Sequence, residues 1–333
     1  MVFSRRSFFK GITLSGIAAA GIISGSNKAL ASTVSSYATV IDLSRCNGCA
    51  HANTPQCVLA CRTKNKNNFP QPHMPIKDYW PQNKHEDWSD KQQLTNRLTP
   101  YNWTYVQHLE VEYNGNKSKV HVPRRCMHCD NAPCSDLCPF GVNEKTPEGP
   151  VVIDTNGCFG GAKCRDVCPW HIPQRQAGVG IYLKVAPDYA GGGVMYKCDM
   201  CYDLILKGQE PACVSSCPNQ AILFGKKEEM RAYARHWAEQ NSGYIYGDVE
   251  NGGTATFYLS SIPYEEIDKA ILAQDIDGKN GRVNMAVNIQ NPMEKPNGMV
   301  KSLLIAPVAG LLASGLSAYK IMKGVEVDEN TQA

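Results

Sequence analysis

The sequence predicts an α+β fold of two cysteine-bound modules with insertions, followed by a single C-terminal transmembrane helix. Three observations predict it. Fifteen cysteines in 333 residues fall into four short runs. Apolar segments of strand length, bounded by turn residues, flank those runs. One uncharged stretch near the C-terminus just reaches the length a bilayer requires. The charge balance excludes one class of partner: Lys+Arg 34 against Asp+Glu 31 leaves +3, too small a bias to argue for nucleic acid. No GxGxxG, P-loop or nucleophile elbow is present, so no nucleotide site is suggested.

The elements follow in order. Ser4-Arg5-Arg6-Ser7-Phe8-Phe9-Lys10 leads into a weakly apolar Gly11–Gly25 stretch, and Ala29-Leu30-Ala31 has the small-x-small form of a cleavage site. Residues 1–31 therefore resemble a twin-arginine export signal, with the mature chain starting at Ser32. The main domain is expected over 38–225, opening on a strand at Thr39–Leu43. Residues 62–123 read as an insertion. Its first part, to 100, has no periodicity. Trp103–Tyr113 then alternates apolar and polar residues, and Asn114-Gly115 turns it into Lys119–Val122, a strong hairpin signal. Val151–Ile153 and Ala221–Phe224 read as further strands. Residues 226–300 form an extension and linker: Lys226–Gln240 is an amphipathic helix with Met230, Ala234 and Trp237 on one side, Thr254–Ile262 is strand-like, and 275–300 are rich in Asn, Gly and Pro. Residues 302–322 contain Leu303–Tyr319, 17 residues without a charge. They predict the transmembrane helix, with Ala306, Gly310, Ala313 and Ser317 as a small-residue packing face. Residues 323–333 would be a cytoplasmic tail beside Lys320 and Lys323.

Every cysteine belongs to a run. The first is Cys46-x2-Cys49-x7-Cys57-x3-Cys61. The second is Cys126-x2-Cys129-x4-Cys134-x3-Cys138-Pro139. The third is Cys158-x5-Cys164-x3-Cys168-Pro169, and the fourth Cys198-x2-Cys201-x11-Cys213-x3-Cys217-Pro218. This is ferredoxin-type spacing for iron–sulfur clusters, in which the last Cys of one run ligates the other cluster of a pair. A close x2 pair wraps a loop around one cluster. The Cys after x3 is thrown one helical turn away, toward the second, so each module should be ferredoxin-like, of the bacterial dicluster kind. Zinc sites pair Cys-x2-Cys units across longer spacers and usually mix in His. A disulfide framework would suit an exported chain, but the cysteine count is odd. Clusters are assembled in the reducing cytoplasm, and a route for folded cargo suits a preloaded metalloprotein.

These runs resemble the iron–sulfur (beta) subunit family of membrane-bound oxidoreductases. That family includes subunits of formate dehydrogenase, dimethyl sulfoxide, polysulfide and nitrate reductases, and the hydrogenase-2 type ferredoxin-like subunit. The resemblance covers about residues 38–225 and is carried by the four runs and the long x11 spacing of the fourth. Phe224–Met230, Gly252-Gly253-Thr254 and the expected C-terminal helix point to the formate dehydrogenase and hydrogenase-2 branches. The resemblance implies how the runs pair. One cluster takes Cys46, Cys49, Cys57 and Cys217; a second takes Cys198, Cys201, Cys213 and Cys61. A third takes Cys126, Cys129, Cys134 and Cys168, and a fourth Cys158, Cys164 and Cys138.

The fourth position lacks a cysteine, and an internal repeat locates the gap. Ile41-Asp42-x3-Cys46-Asn47-Gly48-Cys49 matches Ile153-Asp154-x3-Cys158-Phe159-Gly160-Gly161, so Gly161 stands where Cys49 stands. The cofactors expected are three 4Fe-4S clusters and one 3Fe-4S cluster, as in nitrate reductase beta subunits. The alternative is four 4Fe-4S clusters, the last completed by water, hydroxide or a carboxylate such as Asp166. Run one departs from the pattern through its x7 gap, which leaves His51 as an alternative to Cys57, and through Arg62 in place of Pro.

Arg45, Arg124, Arg125, Lys163, Arg165 and Lys197 adjoin the runs. Positive charge there would raise reduction potentials, and solvation would cancel it. His128 and His171 could hydrogen-bond cluster sulfur or serve ordinary structural roles. No residue is nominated as catalytic. The resemblance implies an iron–sulfur electron-transfer subunit on the periplasmic side of the inner membrane, anchored by one helix. It would relay electrons between a periplasmic molybdopterin (formate dehydrogenase-like) or NiFe hydrogenase catalytic subunit and a quinone-reactive integral membrane or cytochrome subunit. Alternatives are a subunit of a terminal reductase running in the opposite direction, a catalytic protein using the open fourth cluster, and a scaffold with structural clusters.

Overall fold

The computed structural model describes residues 35–78, 85–185, 192–274 and 281–293. In chain order the elements are β1 Tyr37–Asp42, α1 Gln56–Asn65, β2 Tyr105–Tyr113, β3 Asn116–Arg124, α2 Pro133–Asp136, β4 Asn143–Lys145, β5 Val151–Ile153, α3 Lys163–Asp166, β6 Gln174–Gln176, α4 Tyr182–Val185, β7 Val194–Tyr196, α5 Tyr202–Ile205, α6 Ala212–Ser215, β8 Ile222–Lys226, α7 Lys227–Asn241, β9 Tyr244–Tyr246, β10 Thr256–Ser260 and α8 Tyr264–Gln274.

A four-stranded sheet of order β8-β1-β10-β9 organises the chain. β1 precedes the first cysteine run and β8 follows the fourth, and the two pair antiparallel from Tyr37↔Lys226 to Ile41↔Ile222. On its other side β1 pairs parallel with β10. A parallel pair needs a long crossover, and here almost the whole cysteine-bearing chain lies between the two strands. The two modules are therefore not consecutive. The one carrying runs one and four encloses the one carrying runs two and three, whose β4–β5 hairpin lies between those two runs.

Side-chain alternation separates two cores. Ala38 and Val40 of β1 join Phe257 and Leu259 of β10 and Ala234 of α7 in one apolar cluster. Ile41 and Tyr258 face the larger cluster, which also holds many of the cysteines. The sheet thus packs α7 on one face and the cysteine core on the other. Asp42 N–H donates to the Ala221 carbonyl at 2.8 Å, which ties the entry of run one to the exit of run four.

The β2–β3 hairpin closes with Tyr113 opposite Asn116. Asn114 and Gly115 have φ of +52° and +74°, the pair of left-handed residues a type I′ turn requires. Ile267 and Ile271 of α8 are buried and pack that helix on β2. Neither α8 nor β9 is among the elements expected from sequence.

The expectation of a transmembrane helix is corrected. Among the described residues no helix is long and apolar enough to cross a membrane. The longest, α7, has 15 residues, a rise of about 22 Å against a hydrocarbon core of about 30 Å. It carries Glu228, Glu229, Arg231 and Arg235 along its length. The segment 302–322 and the export signal over 1–31 lie outside the described residues, as does the tail 323–333.

Candidate metal centres

Each cysteine run folds by the same local rule. The residue two after the first Cys is left-handed in all four runs: Gly48 (φ +64°), His128 (+52°), Gly160 (+66°) and Met200 (+57°). This turn aims a backbone N–H back at the first sulfur. His128 N–H reaches Cys126 Sγ at 3.4 Å, Gly160 N–H reaches Cys158 Sγ at 3.4 Å and Met200 N–H reaches Cys198 Sγ at 3.3 Å. Gly48 serves Cys46 in the same way. The next two cysteines are one helical turn apart. Cys57, Cys134, Cys164 and Cys213 each occupy the second position of a helix, α1, α2, α3 and α6 respectively. Cys61 lies one turn on within α1, while Cys138, Cys168 and Cys217 lie just past the ends of the other three helices.

Taken in the four groups that the resemblance implies, the cysteines have these neighbours. Cys46, Cys49, Cys57 and Cys217 line one cavity with Val106, Pro123 and Pro218. Burial, then the neighbouring thiol charges of Cys217 and Cys49, push Cys46 up to about 11. Cys57 is raised by burial and then by Cys213, Cys46, Cys49 and Cys217. In the second group burial and then Cys198, Cys213 and Cys201 raise Cys61. In the third, burial and then Cys168, Cys126 and Cys134 raise Cys129. In the fourth, burial and then Cys134, Cys158, Cys138 and Cys168 raise Cys164. The interactions that cross between groups run from one to two through Cys57 and Cys213, from two to three through Cys198 and Cys126, and from three to four through Cys134 and Cys164. The groups are therefore serial neighbours.

Three observations test whether these residues suit iron–sulfur clusters. All fifteen cysteines are unbridged thiols, so the donors are available and the disulfide alternative is removed. Among the described residues no three His, Cys, Asp or Glu side chains sit close enough to hold one metal ion. The third observation is electrostatic. Arg125 (3% exposed) and Lys197 (6% exposed) are buried cations. Arg125 donates to Cys213 Sγ at 2.9 Å and Thr39 Oγ1 at 2.6 Å, and its Nε has no partner. Lys197 donates to the carbonyls of Val151 and Cys198. Burial would lower both groups, yet the negative charge of the surrounding thiols (Cys213 and Cys198 for Arg125, Cys126 and Cys134 for Lys197) holds both above their ordinary values. Among the described residues neither cation has a carboxylate in ion-pair range, and negative charge on the surrounding sulfurs, as metal-bound thiolates supply, offsets the cost of burying them. The residues fit the group.

The other nominated residues are sorted by the fold. Arg165 pairs both nitrogens with Glu86 at 2.8 Å. Lys163 lies 3.7 Å from Asp166. Arg124 donates to the Asn284 carbonyl and stacks over Tyr258. Arg45 reaches Gln220 at the surface. His171 and His51 are exposed, and it is Cys57 that lines the first cavity. Of the basic residues nominated from sequence, Arg124, Arg125 and Lys197 are buried, and Arg125 and Lys197 act on the cysteines, as does His128 of the histidines; Arg175, not nominated, is buried too and acts on Cys158. One feature escaped the sequence reading: His108 and His121 face each other with Nδ1 atoms 2.8 Å apart, against Gly48 of the first loop. The register of an Asn114-Gly115 hairpin, counted outward from Tyr113↔Asn116, would have paired them.

Comparison with known proteins matches two models, each described as a 4Fe-4S dicluster domain, over residues 45–142 and 118–227. The chain is 27% identical to the hydrogenase-2 operon protein HybA of Escherichia coli O157:H7, covering 92% of this chain and 93% of that one. It is 31% identical to the formate dehydrogenase iron-sulfur subunit of Haemophilus influenzae, covering 69% and 68%. It is also 31% identical to a probable anaerobic dimethyl sulfoxide reductase chain, YnfG, of Escherichia coli K12, covering 59% and 76%.

Proposed function

The chain belongs to the family of ferredoxin-like iron–sulfur subunits of oxidoreductases, and on that premise we propose that it is an electron conduit joining a catalytic partner to a second redox partner. The observation that carries this reading is the serial order of the four cysteine groups, each in electrostatic reach of the next. Iron–sulfur clusters, when bound, supply one-electron chemistry without making or breaking substrate bonds. The chain's own residues hold those clusters, balance their charge and exclude water. Cys46, Cys49, Cys57 and Cys217 would hold one cluster, and Cys61, Cys198, Cys201 and Cys213 a second. Cys126, Cys129, Cys134 and Cys168 would hold a third, and Cys138, Cys158 and Cys164 a fourth.

The fourth position is assigned a 3Fe-4S cluster, because its donor set has three thiols and Gly161 offers none. Asp166, the nearest carboxylate candidate in sequence, supports the assignment by its placement: it is 59% exposed and lies beside Lys163. The partners proposed are a molybdopterin or NiFe catalytic subunit at one end and a quinone-reactive subunit at the other. The same residues serve electron flow in either direction. The Ser4-Arg5-Arg6 run supports export by the twin-arginine route, which places the working protein on the periplasmic side.

The purified chain should contain iron and acid-labile sulfide in about equal amounts, bleach on addition of a strong reductant, and turn over neither formate nor hydrogen. Redox-silent iron, or turnover by the isolated chain, would overturn the reading.

A further inference from the structure

Four loops share one left-handed position, and only one fills it with a polar side chain. Gly48 and Gly160 adopt that conformation freely, and Met200 is apolar and buried. His128 accepts the strain of φ +52° while completely buried, and backbone strain kept at such a site needs a reason.

All its polar atoms are engaged. Its N–H donates to Cys126 Sγ at 3.4 Å. Its carbonyl accepts from Lys145 Nζ at 3.0 Å and from Ala255 N–H at 3.1 Å. Its Nδ1 accepts from Val151 N–H at 3.0 Å. An Nδ1 that accepts carries no proton, so the hydrogen of the neutral ring sits on Nε2. Nε2 lies 3.6 Å from Cys198 Sγ, the sulfur that opens the fourth run. Cys126 belongs to the third group and Cys198 to the second.

We propose that His128 is a positioning residue that couples the middle of the conduit: one side chain and its own backbone N–H hydrogen-bond sulfur ligands of the second and third cluster positions at once. This rests on the conduit reading above. An N–H directed at a ligand sulfur favours the reduced form, so His128 holds the second position at a higher potential than its thiolates alone would set. It also joins the two positions by a continuous path of covalent and hydrogen bonds, whereas Gly48, Gly160 and Met200 at the equivalent positions carry no side-chain donor. A satisfied core histidine would explain the burial and the Val151 contact. It would not explain why the remaining donor meets a ligand of the neighbouring group.

The test uses the full chain with its clusters, His128→Asn and His128→Gln. Asn tolerates the left-handed backbone but is too short to reach Cys198; Gln is longer and keeps a donor. Iron and sulfide are measured first, and a wild-type chain lacking them refutes the conduit rather than this proposal. In loaded protein, redox titration followed by electron paramagnetic resonance should show the reduced-to-oxidised ratio of one middle cluster falling about tenfold in His128→Asn, about 59 mV for one electron, with recovery in His128→Gln. Unchanged potentials, or equal shifts in both variants, would overturn the proposal. Should the variants fail to load, the wild-type protein decides: with 15N-histidine, pulsed resonance of the reduced clusters should detect an imidazole nitrogen coupled to a cluster, and the absence of that coupling refutes the role.

Discussion

Arg125 Nη1 donates to Cys213 Sγ at 2.9 Å, and among the described residues no carboxylate pairs with it. The guanidinium also holds Thr39 Oγ1 on β1, so one cation ties the central strand to the second cysteine group. Replacing it with Gln removes a charged hydrogen bond to sulfur, worth about 1.5–3 kcal/mol. The potential of the cluster bound there should fall by about 60 mV or more. Arg125→Lys should recover the charge but not the fork that spans Cys213 and Thr39. Redox titration of the three proteins reads both effects.

Stripping the iron should unfold much of the chain. Without metal-bound thiolates, Arg125 and Lys197 become buried cations facing neutral sulfur, at several kcal/mol each. A domain has only about 5–15 kcal/mol to lose. Circular dichroism of chelator-treated protein should show loss of the cooperative thermal transition. Any residual fold should also be base-labile. Burial holds Cys46 at about 11 against an ordinary 9.0; a raised thiol stabilises the fold below its unfolded value and ceases to as pH rises from about 9 to about 11.

Gly161→Cys should restore the missing donor. The repeat aligns Gly161 with Cys49, so the variant presents a fourth thiol to Cys138, Cys158 and Cys164. The oxidised protein should lose its three-iron resonance signal and gain about one iron per chain, as cluster type follows ligand count. A wild-type sample with full iron and no such signal would refute the three-iron assignment.

His108 and His121 should make the hairpin acid-sensitive. Their 2.8 Å Nδ1 contact requires one of the two nitrogens to be unprotonated. Burial lowers both groups below their ordinary 6.5, His121 further through His108 and Lys119. A lowered imidazole means the unfolded chain binds the extra protons, so stability falls as pH drops below about 6.5. The melting temperature of His121→Gln should vary less over that range. Gly48→Ala should act on the same contact. Its Cβ would lie 2.7 Å from His121 Nδ1 at φ +64°, so the loop or the hairpin must move. The iron of the first position should be lost selectively, as metal analysis can show.

Much of the site is legible because it is local. Gly48 or Gly160 two residues after the first Cys of a run encodes a left-handed turn, and Cys-x3-Cys encodes one helical turn. Asn114-Gly115 encodes a type I′ hairpin and, by counting outward, the His108–His121 pair. The alternation of β1 marks its two buried faces. Gly161 is visible as a gap by comparing the chain with itself. Spacing alone did not say which runs share a group; that came from resemblance, and in the fold it follows from β1 pairing with β8 and β10 across most of the chain. Helix α8 was legible too, since its buried Tyr264, Ile267 and Ile271 recur at i, i+3 and i+7.

The sequence by itself determined the kind of ligand, the number of cysteine runs and the short loops that shape each, because these depend on covalent neighbours and backbone sterics. Only the tertiary structure decided which of six flanking basic residues keep their charge away from water and which histidine reaches a second sulfur. Arg165 and Lys163 meet carboxylates near the surface, whereas Arg125, Lys197 and His128 are enclosed where runs two and four converge. Burial is a property of chain segments far apart in sequence, and it is burial that turns a nearby charge or N–H into one that shifts a potential.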